Sequence, residues 1–167
     1  MRSAVLAVMF CTVYCQASEL SGSRLPPTPY GYVHTRGVCV GAPGEPSRDC
    51  RYSIAILDDA AGVAKMVLGA RLDGYDSAMH PKWIVLDSFG VPPIPSGFAL
   101  AYGSCSYKEL ADSRIIAVAK YDASSQWLGS VLWARRLNTE SGAWEDVEVD
   151  GVRCVNEGFG EGDRSRT

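Results

Sequence analysis

Apolar and polar positions alternate most regularly between residues 113 and 150, where the sequence is SRIIAVAKYDASSQWLGSVLWARRLNTESGAWEDVEVD. Two clusters of turn-forming residues, DASS and NTESG, separate the apolar runs of this stretch. Apolar and β-branched runs that are bounded by Gly, Asn, Asp and Ser are typical of strands joined by tight turns. The pattern therefore predicts an antiparallel meander of three strands.

The remainder of the chain carries similar apolar runs, each followed by residues that favour turns or loops. Between residues 88 and 97, three prolines lack the N–H that a sheet ladder needs, so this stretch is predicted to be an extended surface connection. The strands predicted outside the meander are residues 30–40, 51–57, 63–72, 82–87, 98–107 and 153–155. The fold class that follows is mostly β, a single small antiparallel sandwich or barrel of about 7–9 strands.

Two stretches also fit a helix, so an α+β fold with helices near residues 60–72 and 124–137 is the alternative. In the first stretch, every even position from 64 to 72 is apolar, which favours a strand with one buried face. A helix there would have Asp59 as its N-cap and Gly74 at its end. The apolar residues of the second stretch are likewise spaced as on one face of a helix.

Three segments in the first half of the chain resemble three in the second half at offsets of 61 to 64 residues. The pairs are IAI at 54–56 with IAV at 116–118, VLGAR at 67–71 with VLWAR at 131–135, and residues 83–87 with 144–150. This echo predicts two similar halves, each a strand–turn–strand–turn–strand unit. The alternative is that two unrelated sets of strands use the same few residue types.

The N-terminal residues have the pattern of a signal peptide. Arg2 provides a positive charge, the apolar run up to Tyr14 is too short to span a bilayer, and small residues lie before a cleavage site at Ala17. The mature protein is therefore expected to be secreted or periplasmic, without membrane insertion after signal cleavage. The predicted organisation is a signal peptide at 1–17, a flexible leader at 18–29, a globular β domain at 30–155 and a loose tail at 156–167.

Composition and charge narrow the class of function. Of the 167 residues, 47% are hydrophobic and 21% are charged, as in an ordinary globular protein. The formal net charge is −3, and the loss of Arg2 with the signal peptide would make it −4. A nucleic-acid binder needs a basic face to neutralise phosphates, so this charge argues against nucleic acid as a partner.

Four of the six cysteines remain after the predicted cleavage, and an even number in an exported chain predicts disulfides. Of the three possible pairings, the favoured one joins Cys39 to Cys50 and Cys105 to Cys154. The first pair encloses a loop rich in Pro and Gly, and the second ties the end of the chain to its middle. Structural zinc sites use cysteines separated by about two residues, and that spacing is missing here, so no metal is predicted.

The sequence carries no motif of a cofactor site or a catalytic centre. The two histidines, His34 and His80, lie in stretches without the signature of a nucleophile or an orienting carboxylate. Ser104 follows a glycine but lacks the second glycine of a nucleophile elbow. The aspartate pairs at 58–59 and at 73 and 76 are predicted to serve turns rather than to bind calcium. No catalytic residue and no cofactor is assigned, which favours a protein that is not an enzyme.

The candidate binding surface combines aromatic and arginine residues with two loops. Three tryptophans, Trp127, Trp133 and Trp144, are close in sequence, and core packing explains most of them. Trp and Arg also dominate contacts between proteins, and functional groups collect on loops above a rigid scaffold. The predicted surface comprises Tyr75, His80, Pro92, Pro93, Trp127, Arg135 and Arg136. The two adjacent arginines are expected on opposite faces of one strand.

Taken together, these features favour an exported, disulfide-stabilised, non-catalytic binding protein that recognises another protein, as an inhibitor or an immunity-type factor does. One alternative is a small secreted hydrolase with paired carboxylates, because folding brings such pairs together without leaving a sequence motif. The other alternative is a structural component of the cell envelope.

Overall fold

The computed structural model describes residues 20–42 and 49–159, and these residues form strands with no α-helix among them. The strands, numbered in chain order, are β1 Arg24–Leu25, β2 His34–Val40, β3 Tyr52–Asp58, β4 Ala64–Tyr75, β5 Pro81–Gly90, β6 Phe98–Tyr102, β7 Cys105–Tyr107, β8 Leu110–Ala111, β9 Ile115–Lys120, β10 Val131–Leu137, β11 Trp144–Asp146 and β12 Val152–Cys154. A 3-10 turn at Val149–Gly151 leads into β12.

The strands form three antiparallel sheets. Sheet A has the order β1-β5-β4-β3-β2, sheet B the order β11-β10-β9-β6, and sheet C the order β12-β7-β8. Sheets A and B pack face to face and neither closes on itself, so the fold is an open sandwich and not a barrel. The predicted mostly β sandwich is confirmed, and the meander predicted at 113–150 is the succession of β9, β10 and β11.

The described residues contain twelve strands where seven to nine were predicted. The predicted strand at 98–107 is divided at Gly103, whose φ of +78° turns the chain from β6 in sheet B to β7 in sheet C. The two-residue strand β8 pairs with β7 as a hairpin, and β1 lies in the segment that was expected to be a flexible leader. The additional strands are thus short pieces at the periphery of the sandwich.

The middle strands of the sandwich are buried on both faces. Every residue from Ser53 to Asp58 in β3 is buried, and so is every residue from Ile115 to Ala119 in β9. A strand that is covered on both sides consists of a continuous apolar run, whereas a strand with one solvated face alternates. Double burial therefore accounts for the unbroken runs IAIL and IIAVA.

Strand β4 does not have the single buried face that its alternation predicted. Val67 packs in the core between sheets A and B and Leu68 packs in the core on the outer face of sheet A, and both are 0% exposed. Gly69 lies against Leu137 of β10, and a Cβ at Gly69 would come within 3.1 Å of Leu137 Cδ2. The missing side chain lets the two sheets approach closely at this point.

The outer face of sheet A is covered by the N-terminal segment. Leu25 of β1 and Leu20 pack against Leu57 and Val85, and β1 pairs with β5. Residues 20–25, part of the predicted leader, are therefore packed on the domain. The physical reason is that the continuous apolar run of β3 leaves a second hydrophobic face of sheet A to be buried.

The proposed signal peptide, residues 1–17, lies outside the described residues, as do residues 160–167 of the predicted tail. The first part of that tail is packed. Asn156 is buried, and its side-chain amide donates hydrogen bonds to the carbonyls of Asp122 and Ser125. The packed domain therefore continues past residue 155.

Neither helical alternative is correct. The first stretch is β4, which pairs with β3 on one side and with β5 on the other. In the second stretch, the carboxylate of Asp122 accepts hydrogen bonds from the N–H and the hydroxyl of Ser124, which hold a turn well before β10 starts at Val131. Tertiary context decides the outcome, because each strand buries its two faces in two different cores, whereas an amphipathic helix buries one face.

Sheets A and B repeat one strand order. The succession β2-β3-β4-β5 in sheet A matches β6-β9-β10-β11 in sheet B, so the segments of the sequence echo occupy equivalent places. The strand registers of the two sheets differ by two residues. In sheet A, Ala55 is opposite Leu68. In sheet B, the residue equivalent to Ala55 is Ala117, and it is opposite Ala134, which is equivalent to Ala70 and not to Leu68. A shift of two residues leaves each side chain on its original face.

Both predicted disulfides are present. The short-loop disulfide joins Cys39 and Cys50, which are 11 residues apart, between β2 and β3. The long-loop disulfide joins Cys105 of β7 to Cys154 of β12, which are 49 residues apart and opposite each other in sheet C. Cys105 and Cys154 are buried in the core formed with sheet B, so the long-loop disulfide fastens sheet C to the sandwich.

Candidate functional site: an aromatic cleft

A cleft of about 920 Å³ opens where the end of β5 faces β10 and β11. On sheet A, β5 ends at Gly90 and the chain leaves into the proline-rich connection. On sheet B, a tight turn between β10 and β11 brings Trp144 above Asp87, whose Oδ2 accepts a hydrogen bond of 3.0 Å from the Trp144 N–H. We call this surface the aromatic cleft, and its principal residues are Phe89, Pro92, Pro93, Trp133, Arg135 and Trp144.

Three aromatic rings form the floor of the aromatic cleft. Phe89 lies edge-on to Trp133, with centroids 6.0 Å apart and an interplanar angle of 80°, and edge-on to Trp144, at 5.1 Å and 82°. Edge-to-face pairs of this kind contribute about 0.5–1.5 kcal/mol beyond the burial of their area. Phe89 is buried while both tryptophans are half-buried, so the indoles present surface to the cleft.

A cation lies on the same ring cluster. The guanidinium carbon of Arg135 is 4.7 Å from the centroid of Phe89, and Arg135 Nε donates a 2.9 Å hydrogen bond to Asp146 Oδ1. The Asp146 side chain is 84% exposed, so this ion pair contributes only about 0–1 kcal/mol to stability. Its consequence is positional, because it holds the guanidinium at the edge of the cleft.

Two carboxylates line the aromatic cleft, and both are engaged. Asp87 accepts backbone hydrogen bonds from Ser88 at 2.8 Å and from Trp144 at 3.0 Å. Asp146 accepts from Arg135. The bond from the backbone N–H of Trp144 to Asp87 fixes the two walls of the cleft relative to each other. The arrangement suits recognition through ring surface, shape and charge rather than proton transfer.

Pro92, Pro93 and Arg135 of the predicted binding surface line the aromatic cleft. Sequence reasoning missed Phe89 and Asp87, which supply the central ring and the carboxylate between the sheets. Strand β5 continues to Gly90, three residues beyond its predicted end, and this extension places Phe89 opposite sheet B, whereas Asp87 was the last residue of the predicted strand. The sequence signal that could have identified Phe89 was its position just before the proline-rich connection.

Arg136 lies on the opposite face of β10 from Arg135, as adjacent residues on a strand should. Its Nε is 2.8 Å from Asp112 Oδ2, and its guanidinium carbon is 5.1 Å from the centroid of Tyr107. The guanidinium of Arg114 donates two hydrogen bonds to the same carboxylate, at 2.8 and 3.0 Å. Arg136 therefore belongs to the packing between sheets B and C rather than to the cleft.

The carboxylate of Asp112 is buried between the two guanidinium groups, with its side chain only 3% exposed. Burial raises the pKa of this group, but the hydrogen bonds and charge of Arg114, together with the charge of Arg136, outweigh burial and leave the pKa of Asp112 below its ordinary value. The ionised form is thus favoured in the folded protein.

Tyr75 and His80 lie at the other end of the β4–β5 hairpin from the aromatic cleft. Asp76 closes the turn between them: its Oδ1 accepts the N–H groups of Ala78 and His80, and its Oδ2 is 3.1 Å from His80 Nδ1. These bonds, that of the His80 N–H foremost, hold the pKa of Asp76 below its ordinary value. Asp76 therefore serves the turn, and the exposed Tyr75 and His80 form a hairpin tip that is separate from the cleft.

Trp127 lies at a third position. Its backbone forms a bridge with Val155, and the guanidinium carbon of Arg153 is 4.5 Å from the centroid of its ring. Trp127 thus packs the loop before β10 against the C-terminal segment beside sheet C. The seven residues of the predicted surface are therefore divided among the aromatic cleft, the hairpin tip and the packing around sheet C.

The described ranges show two further facts about chemistry and location. Within residues 20–42 and 49–159, no three His, Cys, Asp or Glu side chains come together in a group that could hold a metal ion. In that same part of the chain, no helix has the length and apolar character needed to cross a bilayer.

Comparisons of this chain with protein-family models, with curated proteins and with solved structures gave no match.

Proposed function

We propose that this protein is an exported, disulfide-stabilised binding protein whose aromatic cleft recognises another protein, as an inhibitor or an immunity-type factor does. The observation that carries the proposal is the assembly of two half-buried tryptophans and Arg135 around Phe89 in one cleft. Trp and Arg are the residues most often found to dominate protein–protein binding energy. A concave site of about 920 Å³ has room for an anchoring side chain of a partner.

The cleft is held in shape before any partner arrives. Its three aromatic residues and Arg135 lie on strands, and the hydrogen bond from the backbone N–H of Trp144 to Asp87 joins sheet A to sheet B at the cleft itself. Rings that are already packed edge-to-face lose little conformational freedom on binding. A rigid site of this kind supports a recognition role.

Export is supported by the two disulfides, because disulfides persist in oxidising compartments. The N-terminal pattern predicts cleavage after Ala17. Mass spectrometry of the protein recovered from a secreted or periplasmic fraction should therefore find Ser18 as the first residue. Recovery only of a form that retains Met1 would contradict export by signal cleavage.

The binding role is tested with the oxidised protein immobilised and exposed to the secreted or periplasmic extract of its own cells. The expected result is one partner recovered in near-equal amount, with a Kd that rises at least about 30-fold for Trp133→Ala, the effect of losing an anchor worth about 2 kcal/mol. Because Pro92 and Pro93 are exposed, the double variant Pro92→Ala/Pro93→Ala tests the same surface without disturbing the core.

The matched control is Tyr75→Ala/His80→Ala at the hairpin tip, which should leave the Kd unchanged. Binding that depends on the hairpin tip and not on the cleft would show that the site is assigned to the wrong surface. Recovery of no stoichiometric partner at micromolar concentration would contradict the binding role itself.

A further inference from the structure

We infer that the segment bound in the aromatic cleft is basic: a protein segment that places an apolar or aromatic anchor in the cleft with lysine or arginine beside it. This inference rests on the proposed function and adds the chemistry of the partner. It is drawn from the distribution of charge around the rings, because the rings by themselves would accept any apolar anchor.

The cations that line the cleft are already neutralised. Arg135 pairs with Asp146 at 2.9 Å, and Lys65 pairs with Asp59 at 3.1 Å. Asp87 accepts backbone hydrogen bonds and forms no ion pair within the described residues. The lining groups therefore offer no unpaired positive charge to a partner.

The segment that contains β11, and that supplies Trp144 and Asp146 to one wall of the cleft, is acidic. Residues 138–151 contain five carboxylates and no lysine or arginine. All five are on exposed residues, and among the described residues only Asp146 has an ion-pair partner. On the side of sheet A, residues 88–107 contain no charged side chain, Lys65 is paired with Asp59, and Asp87 adds a carboxylate. A segment seated in the cleft therefore lies beside unbalanced negative charge.

The acidic residues are near enough to the rings to act on the bound segment. Asp146 lines the cleft, and Glu148 is four residues from Trp144, which is at most about 13 Å along an extended chain. Glu145 adjoins Trp144 but is opposite Arg136 in the register, so its side chain lies on the other face of β11 and its charge acts from a distance. Charges in water still interact over about 10 Å at 0.1 M salt. A lysine or arginine next to the anchor would be attracted to these carboxylates, whereas an acidic neighbour would be repelled.

The test is selection of a phage-displayed library of random peptides on the oxidised wild-type protein. Affinities of selected peptides are then measured against Trp133→Ala and against two charge-neutralised variants. Glu145→Gln/Glu148→Gln removes two carboxylates of the acidic segment that contains β11, and the side-chain carbonyl that remains at position 145 can still accept the hydrogen bond from Asn138. Glu109→Gln/Glu157→Gln makes the same change in net charge away from the cleft.

The expected peptides carry net positive charge around an apolar or aromatic residue. Their Kd should rise at least tenfold with Trp133→Ala and about three- to tenfold with Glu145→Gln/Glu148→Gln, with little change for the control pair. Added salt should weaken binding to the wild type more than binding to the variant that lacks the two carboxylates. Circular dichroism and thermal melting establish that each variant is folded.

Two other results would overturn the inference. Selected peptides that depend on Trp133 but are neutral or acidic would refute the basic partner and leave the proposed function standing. If no selected peptide depends on Trp133, both the basic partner and the proposed function would be contradicted. If Trp133→Ala does not fold, the exposed Pro92 and Pro93 provide the same test.

Discussion

Replacement of Gly69 by alanine tests the close approach of the two sheets. A Cβ at this position would lie 3.1 Å from Leu137 Cδ2 and 3.3 Å from Leu137 Cγ, and closer still to Cδ1. Leu137 is 0% exposed and packed in the core between sheets A and B, so its side chain has no solvent-filled space into which to move. The substitution therefore overpacks the core.

The magnitude follows from two opposing effects. Overpacking of a core costs about 1–3 kcal/mol. Loss of a glycine restricts the unfolded chain and returns about 0.4–1 kcal/mol. The expected net loss for Gly69→Ala is about 1–2 kcal/mol in the free energy of unfolding. Guanidinium chloride unfolding of the oxidised protein, followed by tryptophan fluorescence, measures it.

Gly90→Ala is the matched control. The atom nearest to a Cβ at Gly90 is the carbonyl oxygen of Lys65 at 3.9 Å, an ordinary contact. This variant should be unchanged in stability or gain up to about 1 kcal/mol.

A double-mutant cycle identifies the clashing partner. Leu137→Ala alone should cost about 2–5 kcal/mol, because it leaves a cavity. Combined with Gly69→Ala, it should cost at least about 1 kcal/mol less than the sum of the two single effects, since the new methyl group occupies part of that cavity. Additive effects, or a Gly69→Ala variant as stable as Gly90→Ala, would refute the close contact.

Three further changes test other parts of the fold by denaturant unfolding. Asp112→Asn should lower the free energy of unfolding by about 3–5 kcal/mol at neutral pH. Because the pKa of Asp112 is lowered in the folded protein, the difference in stability from the wild type should shrink as pH falls below about 4. A difference that stays constant from pH 7 to 2 would contradict the ion pairs. Glu109→Gly should gain about 1 kcal/mol, because Glu109 has a φ of +68° in the β7–β8 turn; no gain would show that the turn carries no strain. Each disulfide can be removed by replacing its two cysteines with serine. The loss in the free energy of unfolding should be about 4 kcal/mol for the long-loop disulfide and about 3 kcal/mol for the short-loop disulfide. The reverse order would contradict the loop-entropy account.

Local sequence signals predicted much of the sandwich because strand period and turn chemistry are local properties. The clusters DASS and NTESG lie between strands, as Asp, Asn and Ser side chains bond to neighbouring backbone groups. The same reasoning predicted one solvated face for β4 and a flexible leader before residue 30. Both expectations differ from the structure for one reason: a second layer covers the outside of sheet A, and no local pattern in β4 announces it.

The candidate site was only partly accessible from sequence. Residue type pointed to Pro92, Pro93 and Arg135, which lie together, but the same criterion also selected Arg136, which packs on the other face of β10. Phe89 was missed because its role depends on Trp133 and Trp144, which are distant in sequence. The packing of sheet A against sheet B decides which side chains line the cleft.

The β class and the order of the meander strands followed from the sequence, because apolar period and turn residues act over short distances along the chain, and an even number of cysteines with a Pro- and Gly-rich loop between Cys39 and Cys50 favoured the observed pairing. Tertiary structure decided strand against helix in the ambiguous stretches, the open sandwich against a barrel, and the composition of the aromatic cleft. Those outcomes depend on stacking β5 of sheet A against β10 and β11 of sheet B, about 50 residues away in sequence, and on the favourable burial of apolar faces that only the assembled layers provide.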